Sequence, residues 1–339
     1  MIRTKIKIRF QNGLTFKYGV KEILAYVADR FEFIESDDPD FIIFGPYGND
    51  IPAKSERYIR VGYFCENIKP DMSICEWAFG IPREEEINNT RYKRIQWHGV
   101  DPQQLVKAPN YKAEEIAAGK KKFCNFLYSN HVPYREEFFR QLSKYKKVDA
   151  PGQSMNNMSS IDELYKGDKW ERKKQFLSEY KFTIAFENYV YPGYQTEKLF
   201  DAMQVNSLPV YCGDPLVCEI FNTHSFINAP DYIPTSNSAT VNFLEKYAQQ
   251  DFKDLLPSFY NKPVHRVKRK LKSMGRQLKL NYQFQKMNFE PLIARLIELD
   301  QDQDKYVEVL KQPWFVNNTP PLNASLENRW VEIFSGTES

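Results

Sequence analysis

From Lys181 to Pro215 the chain reads KFTIAFENYVYPGYQTEKLFDAMQVNSLPVYCGDP, and this segment leaves few folds open. The apolar run Phe182 to Phe186 is a buried strand, Tyr191-Pro192-Gly193 breaks the chain, and Thr196 opens a helical stretch carrying Leu199, Phe200 and Met203. Leu208 to Tyr211 is the next strand, closed by a Gly213-Asp214-Pro215 turn. This order predicts a β-α-β crossover. In open α/β sheets, ligands sit beyond the carboxyl ends of strands, and a helix amino terminus offers phosphate unpaired N–H groups and a positive dipole end. Lys198 falls in the first helical turn, where a cation opposes the dipole, so an anionic partner such as a diphosphate accounts for its position. A plain crossover with a solvated Glu197-Lys198 pair and a Gly193 that only turns the chain fits the spacing equally well.

Strand-like runs at Lys5 to Phe10, Phe31 to Ile34, Phe41 to Phe44 and Tyr58 to Phe64 alternate with helical patterns such as Lys21 to Phe31, and a second α/β set starts near Phe123. A chain of 339 residues with 42% hydrophobic content can fill two cores. The expected division is an amino-terminal domain over 1–115, a carboxyl-terminal domain over 116–285 and a polar helical tail over 286–339.

A net charge of +3 is too small for a whole-molecule field to indicate nucleic acid. The charge is concentrated, however: Asn261 to Lys279 holds eight Lys or Arg and no carboxylate, with Val264, Val267, Leu271, Met274 and Leu278 alternating at spacings of three and four. That is a basic amphipathic helix. It either packs its apolar stripe on the carboxyl-terminal domain or makes peripheral contact with a membrane surface through 262–279. Five cysteines without a CxxC pair suit a reducing compartment, and no run of about 18 apolar residues or signal-peptide pattern occurs. A cytoplasmic location, including the inner membrane surface, is the expectation.

The blocks FxIAFEN, GYxTEK and PVYxGDP, linked in this order, resemble the signature of the α-1,3/1,4-fucosyltransferases. Upstream, Phe41 to Gly45, Phe64-Cys65-Glu66-Asn67 and Trp77 to Ile81 are similar to the family's amino-terminal domain; Asn125 to Asn130 with Arg135, and Val148 to Gly152, are similar to blocks around the nucleotide. The resemblance covers roughly residues 1 to 230. It implies an α/β fold of two Rossmann-like domains facing a cleft (GT-B). It also implies inverting transfer of fucose from GDP-fucose to an oligosaccharide acceptor, giving an α-1,3 linkage on an N-acetyllactosamine-type glycan as in Lewis-type antigens. Transfer to an α-1,4 position, or of another GDP-sugar, keeps the same fold. A non-catalytic membrane-surface protein is the alternative of another class. GDP-fucose is the donor substrate, and neither a further cofactor, a metal nor nucleic acid is expected.

A diphosphate leaves without protonation, so one carboxylate base suffices and cations replace the acid of a glycosidase pair. The resemblance gives Glu66 the role of base, with Glu76 as runner-up and Asn67 holding the loop. It gives Arg135 and Lys198 the phosphates, Glu197 the ribose hydroxyls, and Asn188 and Tyr194 the pocket for diphosphate and fucose. Several competing readings remain. Arg135-Glu136-Glu137 also reads as an exposed helix start, Glu187 as a second acid or a strand-end partner, and His131 as a neighbour of the site or a surface residue. Cys65 has no matching histidine for a nucleophilic role. Asp37, Asp38 and Asp40, like Asp300, Asp302 and Asp304, look like solvated loops or helix ends. Two positions depart from the family pattern: Cys212 stands where a bulky aromatic is usual, and Tyr189 where a small polar residue is usual.

Overall fold

In the computed structural model, which describes residues 3–66, 68–96, 101–233, 238–248, 250–284, 288–321 and 324–336, the apolar runs become the strands of two parallel sheets. The chain divides into two compact units, each discontinuous in sequence. Met1–Val100, Phe243–Gln277 and Leu322–Ser339 form one, and Asp101–Asn242 and Leu278–Pro321 form the other. Sequence blocks drawn at 115 and 285 run across these units, because packing partners far apart in sequence leave no mark in local composition.

The first unit holds β1 (Thr4–Gln11), β2 (Phe31–Glu35), β3 (Phe41–Phe44), β4 (Ile59–Phe64), β5 (Ile68–Lys69), β6 (Trp77–Gly80) and β7 (Tyr92–Arg94). Six of them form one sheet in the order β2-β1-β3-β4-β6-β7, and every neighbouring pair is parallel. β3 is buried throughout, as expected where both faces of a parallel sheet are covered. Successive side chains point to opposite faces. On one face Trp330, from the helix Ala324–Ser335, stacks on Phe79 at 4.3 Å, and Phe334 meets Phe41 edge-on at 4.9 Å. On the other, Phe252 and Leu256 close a cluster with Phe44, Phe64, Ile68 and Tyr92.

The second unit holds β8 (Lys122–Asn125), β9 (Val148–Asp149), β10 (Tyr180–Phe186), β11 (Leu208–Cys212) and β12 (Ile227–Asn228), ordered β12-β11-β10-β8-β9 and all parallel. β10 lies at the centre, and the helix Glu197–Gln204 carries the chain from it to β11, so the predicted crossover forms as read. That helix buries Leu199, Phe200, Ala202 and Met203.

Three expectations change. Lys21 to Phe31 is not one helix: the chain makes short turns at Phe16–Tyr18, Gly19–Ile23 and Ala25–Val27, interrupted at Leu24, whose backbone (φ −98°, ψ 5°) leaves the helical region. Asp300 is not solvated; its buried carboxylate takes Lys146 at 2.9 Å, Lys181 at 3.5 Å and the Tyr145 hydroxyl at 3.0 Å. The basic stretch forms the helix Pro263–Gln283, but its apolar stripe does not pack on either unit: Val264, Val267, Leu271, Met274 and Leu278 are all exposed. No helix of the described residues is long and apolar enough to cross a membrane.

Candidate functional site

The carboxyl end of β10 gathers most of the charged residues singled out in the sequence. Glu187 follows the strand directly and is fully buried. Its carboxylate accepts from the Thr196 backbone N–H (2.8 Å), the Thr196 hydroxyl (2.7 Å) and the Lys198 ammonium (3.1 Å). It therefore sits against the amino terminus of the helix Glu197–Gln204, where a negative charge is favoured. This decides between the two readings of Glu187: it is the strand-end partner that orients the helix start. Burial alone pushes Lys198 down, but Glu187 and then Glu197 hold its ammonium above the ordinary lysine value. Burial likewise pushes Glu197 up, and Lys198 and Lys173 outweigh it, so that carboxyl stays below its usual range.

Arg135 is not on an exposed helix start. In the helix Pro133–Leu142 it is wholly buried, with its guanidinium 3.9 Å above the Tyr128 ring. It donates to Asn188 Oδ1 (2.7 Å) and to the Asn130 carbonyl (2.7 Å), while its Nε has no partner. Its positive charge also acts on Lys198. Two cations thus lie close enough to repel each other at a strand end and a helix amino terminus, an arrangement suited to an anion with more than one charge. Tyr128 fixes the platform by donating to the Ile184 carbonyl (2.7 Å) and accepting from Phe186 N–H (2.7 Å).

The segment between strand and helix is held from below by Asp214. Its carboxylate accepts from Gly193 N–H (2.8 Å), the Gln195 side-chain amide (2.7 Å) and Leu216 N–H (2.8 Å). Gly193 has a positive φ of 86°, and a Cβ on Gly213 would stand 2.6 Å from Glu187 Cγ and meet the Tyr211 hydroxyl as well. Tyr194 is buried, stacked on Tyr191 at 4.9 Å with Tyr189 5.8 Å away, so it stiffens the loop. Cys212 is buried in β11.

Lys279 closes this loop from another segment, donating to the Val190 carbonyl at 2.6 Å. Burial pushes its pKa down to about 7, against 10.5 for an ordinary lysine. Between those values the unfolded chain binds the proton and the folded chain does not, so this group makes stability rise with pH from 7 upward. The urea midpoint of unfolding, measured at pH 7, 8 and 9, should climb less steeply in Lys279→Met. An unchanged slope would show that Lys279 keeps its charge when folded.

Glu66 lies in the first unit, just after β4, and the Tyr47 hydroxyl donates to its Oε1. Tyr47 is seated by the turn after β1. Asn12 donates to the Gly45 carbonyl (2.7 Å) and accepts from Tyr47 N–H (3.1 Å), and Gly13, at φ 94°, leaves room where a Cβ would stand 2.6 Å from that of Tyr47. Glu76 is engaged by Arg60, at 2.7 Å from Nη2 and 2.8 Å from its backbone N–H. Burial and the Glu66 charge push the Cys65 thiol up to about 11, which disfavours a thiolate. Asn67 lies outside the described residues. His131 is exposed and pairs with Glu136 at 2.7 Å. Among the described residues no three His, Cys, Asp or Glu side chains gather to hold a metal ion.

The structure brings together Arg135, Asn188, Glu197 and Lys198, packs Tyr194 on Tyr191 within the loop instead of against them, and keeps Glu66 in the other unit. Sequence reasoning missed Asp214, Tyr47 and Lys279. Asp214 stood inside the PVYxGDP block and read only as part of a turn; Tyr47 and Lys279 carried no local signal.

The family model described as glycosyltransferase family 10 (fucosyltransferase) C-term matches residues 117–261, and that of the alpha-(1,3)-fucosyltransferase FucT N-terminal domain matches residues 8–98. The chain is 29% identical over 290 residues to the alpha-(1,3)-fucosyltransferase FucT of Helicobacter pylori, covering 81% of this chain and 54% of that relative. It is 35% identical over 151 residues to a protein of Acanthamoeba polyphaga mimivirus that bears a fucosyltransferase name, covering 43% and 24% respectively. The chain thus spans from about a quarter to about half the length of these relatives. A crystal structure of an alpha1,3-fucosyltransferase with GDP superposes over 98% of this chain and 91% of the other, with a TM-score of 0.61 at 19% identity. That likeness shows the fold, two Rossmann-like domains of the GT-B type.

Proposed function

Since this chain belongs to glycosyltransferase family 10, the fucosyltransferases, we propose that it transfers L-fucose from GDP-β-L-fucose to a GlcNAc hydroxyl of an N-acetyllactosamine-type glycan, with inversion to an α-1,3 linkage. The observation that carries this reading is the cation pair at the carboxyl end of β10, the buried Arg135 and the half-buried Lys198, the latter in the first turn of the helix Glu197–Gln204. In the proposed step, Glu66 takes the proton of the acceptor hydroxyl, whose oxygen forms a bond to fucose C1. The bond from C1 to the phosphate oxygen breaks, and its electron pair leaves with GDP. The sugar passes through oxocarbenium character, and the charge gathering on the diphosphate is met by Arg135, Lys198 and the helix N–H groups. Asn188 orients the Arg135 guanidinium, and Glu197 accepts from the ribose hydroxyls. Fixed cations in these places take the role a metal ion plays in other transferases, so the reaction proceeds without one.

Incubation with GDP-fucose and either Galβ1-4GlcNAc or Galβ1-3GlcNAc, with and without EDTA, followed by assignment of the linkage by NMR, tests this directly. A chelator-insensitive α-1,3 product on the first disaccharide is expected. Exclusive reaction with the second, or loss of product in EDTA, would sink the acceptor assignment or the metal-free step respectively.

Tyr47 has a part in the same scheme, because its hydroxyl fixes one oxygen of Glu66. Tyr47→Phe should lower kcat about tenfold, the loss expected for a hydrogen bond to a charged group, with KM for GDP-fucose unchanged. A rise in KM without a fall in kcat would remove Tyr47 from the reacting centre.

A further inference from the structure

The helix Pro263–Gln283 carries an uncovered apolar face. Val264 is 77% exposed, Val267 59%, Leu271 63%, Met274 50% and Leu278 49%. Tyr282 continues the row at 52%. At about 100° per residue these six side chains share a band about 80° wide on one side of the helix. Soluble proteins seldom leave so continuous an apolar row in water.

Its setting identifies the partner. No carboxylate occurs from Asn261 to Lys279, against eight Lys or Arg. Some of these cations serve the fold: Lys272 and Lys268 reach the buried Asp254 at 2.6 and 3.5 Å, and Lys279 holds Val190. Arg266 and Lys270 are exposed, and Lys268 keeps 44% of its side chain exposed while paired. Lys268 and Lys270 border the apolar band on either side, so long aliphatic stems flank it with their charges lifted beyond it. The Asp254 pairs hold the helix to the protein along the flank that carries Lys268 and Lys272, beside the band, and leave the band itself exposed.

We propose that this face docks on the surface of a lipid bilayer bearing anionic headgroups, with the six apolar side chains entering the headgroup boundary and Arg266, Lys268 and Lys270 meeting the negative charge. A second copy of the chain is the weaker partner. The spacing of three and four runs for only about two heptads, short of the three or four that sustain a coiled coil, and pairing would bring two wholly basic segments together. This inference is independent of the transfer reaction.

The test uses the full chain in co-sedimentation with vesicles of phosphatidylcholine alone and of phosphatidylcholine with phosphatidylglycerol. Binding to the anionic vesicles only, weakened about tenfold or more by raising salt from low to about 0.5 M, is the expected result. The double variant Leu271→Asp with Met274→Asp should lose vesicle binding by more than about tenfold, with GDP affinity and unfolding temperature unchanged because both side chains are exposed. The variant Arg266→Glu with Lys270→Glu should lose the anionic preference. Failure of the protein to sediment with anionic vesicles at low salt would overturn the proposal. So would equal binding by the Leu271/Met274 variant, or a dimer in sedimentation velocity that the same variant abolishes.

Discussion

Glu66→Gln is expected to lower kcat by roughly two to four orders of magnitude while leaving GDP affinity unchanged, the range expected when a positioned general base is removed. The amide keeps the shape of the side chain and can still meet the Tyr47 hydroxyl, so structural collapse is not the cause. Nucleotide affinity is spared because Arg135, Glu197 and Lys198 belong to the other unit. Stopped assays of GDP release and calorimetric titration with GDP separate the two quantities. Turnover within a factor of a few of the parent would move the role of base to another residue. Glu76 is the poorer substitute, since Arg60 occupies its carboxylate and, with its backbone N–H, overcomes the effect of burial to hold that acid low.

Lys198→Ala should cost both stability and nucleotide binding. The ammonium is the only side-chain cation within 4 Å of the fully buried Glu187 carboxylate among the described residues. Removing one member of such a pair leaves a buried charge uncompensated, at a cost of about 3–5 kcal/mol, visible as a fall in the denaturant midpoint. GDP affinity should fall by about a hundredfold or more, the loss of a charge-assisted contact in a dry site. The double substitution Lys198→Met with Glu187→Gln separates the two effects: stability should return in large part, and GDP binding should not. Return of both would mean that Lys198 acts on the fold alone and never touches phosphate.

Much of this site could be read in the sequence because it is local. Thr196, Glu197 and Lys198 open the helix that follows β10, and the apolar run, the break and the periodic stretch fixed that geometry within a few dozen residues. Arg135 needed the resemblance, since Pro133–Leu142 looks solvent-facing until Tyr128 and Asn188 are brought to it by the sheet. The link between Tyr47 and Glu66 was out of reach, because it depends on loops after two strands whose adjacency is set by sheet order. The stripe on Pro263–Gln283 was evident as periodicity, but whether a face of a helix is covered depends on what packs against it.

The closing of the first sheet by Trp330 and Phe334 has a consequence for biosynthesis. While the ribosome is still translating the second sheet, Phe41 and Phe79 have been made but their covering helix has not. The nascent first unit must therefore wait with an apolar face bare until the helix Ala324–Ser335 has emerged, after all of the second unit. Such a protein has reason to depend on chaperones at that moment and to tolerate poorly any stop that removes the helix Ala324–Ser335.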